Sequence, residues 1–363
     1  MQDLEVRFKN FDDVPSQIEI LDGSTDQEVE RSKFEDLFYM EISKAKDIIN
    51  NGSGSNSSVS SHYESNTHTK FTKRIVLSVI SQIYDPLGLI GPVITKAKLI
   101  LQLLWQSKLN WDQSLSVELE LIWSLSVELE LIWSRFYKHI QSINELQIPR
   151  KLIIDNRVSI DIHVFSDASE KAYGTCLFVR SVDCFKNVCV KLGCSKSRVA
   201  PLKVLSLPRL ELSAAVLSVQ LCLKALMAFN LSFNSITFWC DSTIVLSWIA
   251  TESSKLKTFV ANRVSKIQRF SKLSQWRYVP SHENPADIIS RGLNPDEIIN
   301  YTSWFNGPRW LFLETDCWPI TDPKIFKEKD SHETKSTFTS ITTNSTELEV
   351  GFNDIISNFN HHK

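Results

Sequence analysis

The sequence predicts an α/β fold, a mixed sheet flanked by helices over about residues 155–295, preceded by a mostly helical region. Three observations carry this expectation. From residue 150 onward, short apolar runs alternate with amphipathic stretches in the order three strands, helix, strand, helices, strand, helix. Residues 71–150 instead place their apolar side chains at helical spacing. Several apolar runs of the second region also end on a carboxylate, as strands that lead into a concave site do.

Taken in order, residues 1–70 are polar and close on NNGSGSNSSVSSHYESNTHT, a linker too poor in apolar side chains to bury a core. From Phe71, two apolar helices are expected on either side of a DPLGLIGP turn, with Lys96 and Lys98 carried on the second. The stretch SLSVELELIW then occurs twice without change, at 114–123 and 124–133. Ten residues are too short for a solenoid unit. A tandem duplication or an assembly error is the plain explanation, and the insert lengthens a helix by about 15 Å.

Residues 161–167 and 172–180 read as a strand pair and 184–194 as a third strand. Residues 207–229 form a long apolar helix, followed by a strand at 235–240 and helices at 242–250 and 257–270. A short strand at 276–280 leads to a last helix starting near Pro285. Residues 296–320 are a Trp- and Pro-rich extension, and 321–363 have the composition of a disordered tail.

Composition narrows the function classes. A net charge of −2 excludes a strongly basic nucleic-acid coat but leaves a local basic face open. The seven cysteines form no CxxC pair, which points to buried thiols in a reducing compartment and to no disulfide framework or zinc site. The polar, acidic start MQDLEVRFKNFDD is not a signal peptide. The most apolar stretch is broken by Asp85-Pro86 and cannot cross a bilayer. An intracellular location with no membrane contact is expected, in the cytoplasm or in a virus-like particle.

Four acids sit where chemistry is plausible. Asp167 ends the first strand, Glu211 lies in the first turn of the long helix, Asp241 ends the fourth strand and Asp287 opens the last helix. Carboxylates at strand ends and helix starts of one sheet can converge on one edge. Sharing a site would require cations to neutralise them. An oxygen-only ligand set suits Mg²⁺ or Mn²⁺. Two such ions about 4 Å apart activate water and stabilise a leaving oxygen in phosphodiester hydrolysis. In that scheme Asp167 bridges the ions, Asp241 ligates the one that positions water, and Glu211 and Asp287 complete the ligand set. Each acid also has a simpler reading as a turn, cap or macrodipole residue. His282, in the loop ahead of Asp287, reads either as a mobile histidine that assists proton transfer or product departure or as an exposed loop residue.

Beyond these residues, YVPSHENPAD resembles the histidine-bearing loop ahead of the last acid in the ribonuclease H fold. The fuller resemblance is to the Pol polyprotein of BEL/Pao-type LTR retrotransposons. It is carried by TKRIVLSVISQIYDPLGLIGPV, AKLILQLLW, FSDASEKAYG, KSRVAPLKVLSLPRLELSAA, WCDSTIVLSWI, KTFVANRVSKI, WRYVPSHENPADIISRG and WFNGPRWL, in the family's order over about residues 71–319. The resemblance implies a thumb- or connection-like region at 71–150 and an RNase H-like domain at 155–295. It also implies two-ion cleavage of the RNA strand of an RNA–DNA hybrid.

The same resemblance makes the chain a fragment or relic of Pol, with reverse transcriptase and integrase domains as further partners. There is no Tyr-x-Asp-Asp polymerase motif. Such segments also carry the label of a Pao retrotransposon peptidase, but the Asp-Thr-Gly or Asp-Ser-Gly of an aspartic peptidase is absent. A catalytically silent module that only binds nucleic acid or a Pol partner is the alternative reading. Candidate nucleic-acid contacts are Lys196, Arg198, Lys203 and Arg209 before and at the long helix, then Lys255, Lys257, Arg263 and Lys266. Taken one at a time, each reads first as a solvated charge. Trp239, Trp248 and Trp276 read as core residues.

Overall fold

The structure is a computed structural model and describes residues 71–327, apart from 108–109, 115–122, 150 and 230, together with 333–334. Five strands, β1 (Arg157–Ala168), β2 (Ala172–Asp183), β3 (Val188–Val199), β4 (Ser235–Cys240) and β5 (Trp276–Tyr278), form one sheet in the order β3-β2-β1-β4-β5. The pairs β1–β2 and β2–β3 are antiparallel, and β4 and β5 add in parallel beyond β1. The third strand lies a few residues later than the sequence suggests. Asp183 is the reason: its carboxylate accepts from Phe185 N, Asn187 N and Asn187 Nδ2 at 2.8 Å, which holds 184–187 as the turn.

Helices cover both faces, so the central strands are buried on both sides. The alternation along β1 sorts its side chains. Ile160, Ile162 and Val164 face one cluster with α4 (Leu207–Phe229), α5 (Thr243–Ala250) and α6 (Thr258–Phe270). Phe165 faces the other cluster, with α1 (Lys73–Ser81), α2 (Gly91–Gln106), α3 (Trp123–His139) and the segment from Ala286 to Trp318. Among the described residues α4 is the one helix long and apolar enough to cross a membrane. Here Leu212, Ala215, Val216 and Val219 pack it against the sheet.

The helical region docks on the edge of β3. Ser195 N donates to Leu87 O at 2.9 Å, the Thr95 hydroxyl to Ser197 Oγ at 2.7 Å and Lys98 Nζ to Ser197 O at 3.0 Å. The second copy of the repeat lies in α3, where Leu129 and Trp133 are buried. Most of the first copy lies outside the described residues, as do residues 1–70.

After β5 come α7 (Asp287–Arg291), α8 (Pro295–Ile299) and α9 (Thr302–Asn306), then turns that bury Trp304, Trp310, Leu311 and Trp318. The helix carrying Asp287 is therefore not the last one. The first residues of the tail are folded despite their polar composition. Pro323–Lys327 form a 3-10 turn whose Ile325 and Phe326 pack on the α4–α6 cluster, and Leu256 pairs with Thr334. Of the cysteines, 176, 194, 222 and 240 are buried thiols as expected, whereas Cys184 and Cys317 are exposed.

Candidate functional site

The site forms at the end of the two central parallel strands. The last parallel pair is Ser166 with Cys240, so Asp167 and Asp241 follow side by side. Parity puts both on the face that carries Phe165 and Trp239, the face covered by α7. Asp167 lies opposite Gly174 on β2. A Cβ at Gly174 would stand 2.7 Å from Ile289 Cγ2, so the glycine is what lets α7 lie against the hairpin. The helix is tied down twice more. The Ser290 hydroxyl donates to Asp167 Oδ2 at 2.7 Å, and the Ser169 hydroxyl donates to Ser290 O at 2.8 Å.

The loop ahead of α7 is fixed by Asn284. It is buried, its amide donates to Ser166 O at 3.1 Å, and its Oδ1 accepts from Ala286 N at 3.1 Å. Asp287 opens α7 and pairs with Arg291 Nε at 2.8 Å, one turn on. Glu211 comes from α4. That helix begins at Leu207, so Glu211 falls at the start of the second turn rather than in the first. An N-terminal dipole role is thereby weakened.

The capping reading of Asp241 also fails. The cap of α5 is Ser242, whose Oγ accepts from Val245 N at 3.3 Å. Asp241 is left with a buried Oδ1 that has no hydrogen-bond partner. A buried carboxylate oxygen with no donor needs an explanation, and a cation is the chemically suited one.

Electrostatics join the acids. Burial pushes the Asp167 carboxyl up to about 7; the charges of Asp241 and Asp287 act the same way, against the Ser290 hydrogen bond. Asp241 is raised first by burial and further by Asp287, while the Ser281 hydroxyl and Asn284 amide oppose the rise. Glu211 is raised by burial and by Asp241, with the Ser242 hydroxyl opposing. Each of the four acids thus either feels or imposes the charge of another. Among the described residues no three His, Cys, Asp or Glu side chains are closed up as a ready ligand set. The donors still fit a hard dication. They are oxygens, their mutual repulsion favours added positive charge, and Asp241 Oδ1 is orphaned.

His282 is 80% exposed, with Nε2 3.6 Å from Glu283 Oε1. The predicted basic contacts split into two groups. Lys196 and Arg198 lie on β3, at the outer side of the sheet, and Arg198 is buried, so it offers no surface contact as placed. Arg209 and Arg263 gather around Phe259, with their guanidinium carbons 5.1 and 3.6 Å from its ring centroid. Lys257 caps α6 beside them. Ser242, Ser281, Asn284 and Ser290 are site residues that the sequence reading misses. Only Ser290 has a signal, its place three residues after Asp287 on one helix turn.

A five-stranded mixed sheet of this order, with helices on both faces, has the arrangement of an RNase H-like fold. More narrowly, residues 72–242 match the family model of the Pao retrotransposon-like RNaseH-like domain. The match takes in Asp167, Glu211 and Asp241 and stops before His282 and Asp287. No curated protein matches the sequence.

Three solved structures are similar at low identity. An N-terminal RNase H domain from Mycobacterium tuberculosis, solved as a fusion with maltose-binding protein, is 12% identical over 40% of this chain and 99% of that one, with a TM-score of 0.26. RNase H1 from the halophilic archaeon Halobacterium salinarum is 12% identical over 35% and 90%, with a TM-score of 0.23. LC11-RNase H1 in complex with an RNA/DNA hybrid is 14% identical over 39% and 95%, with a TM-score of 0.25.

Proposed function

We propose that this domain is a metal-dependent endoribonuclease that cuts the RNA strand of an RNA–DNA hybrid. The observation that carries the reading is the pairing of Asp167 and Asp241 at the ends of adjacent parallel strands, with Asp241 Oδ1 buried and unpartnered. Asp167, Glu211, Asp241 and Asp287 are the residues to hold two Mg²⁺ or Mn²⁺ ions. Once bound, such a pair supplies activated water and neutralises charge on the phosphoryl oxygens.

The chain's own residues then have distinct tasks. Ser290 fixes the Asp167 carboxylate through its Oδ2. Asn284 holds the loop that brings Asp287 to the strand ends. His282, exposed on that loop, is placed to take or give a proton at its imidazole as product departs. The hybrid is read by shape, phosphates and 2′-hydroxyls. Arg209, two residues before Glu211, together with Arg263 and Lys257 around Phe259, is the basic group proposed to meet its phosphates. An intracellular site of action, together with polymerase and integrase partners, belongs to the same proposal.

A labelled RNA–DNA hybrid incubated with Mg²⁺ tests it. Wild type is expected to cut the RNA strand only with the metal present, and Asp241→Asn to lose about a hundredfold or more in rate. Binding without cutting by the wild type would leave the silent nucleic-acid-binding module as the better description.

A further inference from the structure

The predicted contact Arg209 is already engaged. Its Nε donates to Oε1 of Glu333 at 2.8 Å, and its Nη2 reaches the same oxygen at 2.8 Å. Glu333 lies more than a hundred residues further on, and two backbone contacts also hold it there. Its backbone carbonyl accepts from Lys257 N at 2.8 Å, and the next residue, Thr334, bridges to Leu256. The Glu333 side chain is 12% exposed and that of Arg209 is 32% exposed. The carboxylate therefore lies over the guanidinium and screens it from solvent.

The contact is not built as a purely structural clamp. Glu333 Oε2 is buried with no hydrogen-bond partner, so half of the carboxylate is desolvated without compensation. A carboxylate chelated by two guanidinium donors is what a phosphate oxygen would replace, because both present a charged oxygen to the same planar fork. The surroundings favour that exchange. Arg263 sits on the same Phe259 ring as Arg209, and the carboxylate paired with Arg209 is that of Glu333.

We infer that Arg209 is a backbone-phosphate contact for nucleic acid, and that Glu333 occupies its place in the free protein as an internal competitor. Glu333 is the latch: nucleic acid must lift its carboxylate off Arg209 to use that guanidinium. The inference rests on the reading of this domain as a nucleic-acid-binding one, but not on cleavage.

The test is hybrid binding by the full chain in EDTA, followed by fluorescence anisotropy across a salt series, with thermal melts as the check on folding. Glu333→Ala should bind several-fold tighter than wild type, with a log K against log salt slope steeper by about one. Arg209→Gln should bind more weakly than Glu333→Ala, and adding Glu333→Ala to it should change nothing. Unchanged or weaker binding by a folded Glu333→Ala overturns the inference. So does an equal gain in the Arg209→Gln background, since Glu333 would then act elsewhere. Cutting plays no part in the readout, so loss of the nuclease reading and loss of this one are seen in different assays.

Discussion

Asp167 shows what a single side chain in this site must tolerate. Burial and the neighbouring acids lift its pKa from the ordinary 3.8 to about 7. Between those values the folded state holds a proton that the unfolded chain has released. Stability therefore falls as pH rises from about 4 to about 7, by at most about 4 kcal/mol from this group. Asp241 and Glu211 are shifted the same way and add to the slope. In metal-free buffer, denaturation midpoints should decline over that range, and Asp167→Asn should flatten the decline and melt higher at pH 8. A flat wild-type profile would contradict the crowding of acids described above.

Asn284 gives the opposite sign. Removing a buried donor to Ser166 O should cost about 1–3 kcal/mol in Asn284→Ala, measured by urea unfolding. Asp167, Asp241 and Asp287 were legible in the sequence because each ends an apolar run or opens a helix, and Glu211 because it stands near the start of a long apolar one. Their supports were not: a serine or asparagine in a loop carries no periodic signal, and its partner is set only when distant segments meet. The burial of Arg198 was hidden for a similar reason, since a charge on a strand tells nothing of what later packs over it.

At the scale of elements, pattern reading did well where one face dominates. The strand pair, the long helix, β4 and the two helices after it follow directly from periods of two and of 3.6. It slipped at β3, where the Asp183 turn, not the apolar run, decides where the strand begins. The site depends most on the contact between the β1–β2 hairpin and α7. Gly174→Ala puts a methyl group 2.7 Å from Ile289 Cγ2, so α7 must move. The expected loss is about 1–3 kcal/mol of stability. Metal-dependent activity should fall by more than the loss of folded protein explains, because Asp287 and Ser290 move with the helix. Circular dichroism melts and cleavage rates on the same preparation separate the two effects. Full activity in a stable Gly174→Ala would show that α7 does not position the site.

The molecule as a whole is knit across its predicted boundaries. One cluster runs from α1–α3 through Phe165, Phe178 and Trp239 of the sheet to Trp304, Trp310 and Trp318. Arg180, itself buried, donates from Nε to Leu311 O at 2.8 Å. A chain cut after residue 295 would uncover Trp239 and Phe165 together with the guanidinium of Arg180. Such a truncation is expected to melt without a cooperative transition and to bind a hydrophobic dye, whereas a chain ending at 327 should keep a sharp melt. The extension could be recognised in the sequence by its tryptophans, but not its place over the sheet, because no local pattern says which face a strap without strands will cover.

The central claim is that the acids gathered at the ends of β1 and β4 make this domain a nuclease. Its most direct test is cleavage of a labelled RNA–DNA hybrid by the full chain, with and without Mg²⁺, beside Asp241→Asn. The account predicts metal-dependent cutting of the RNA strand by wild type and a loss of about a hundredfold or more in the variant. A folded wild type that binds the hybrid and leaves it whole at every Mg²⁺ and Mn²⁺ concentration would contradict it.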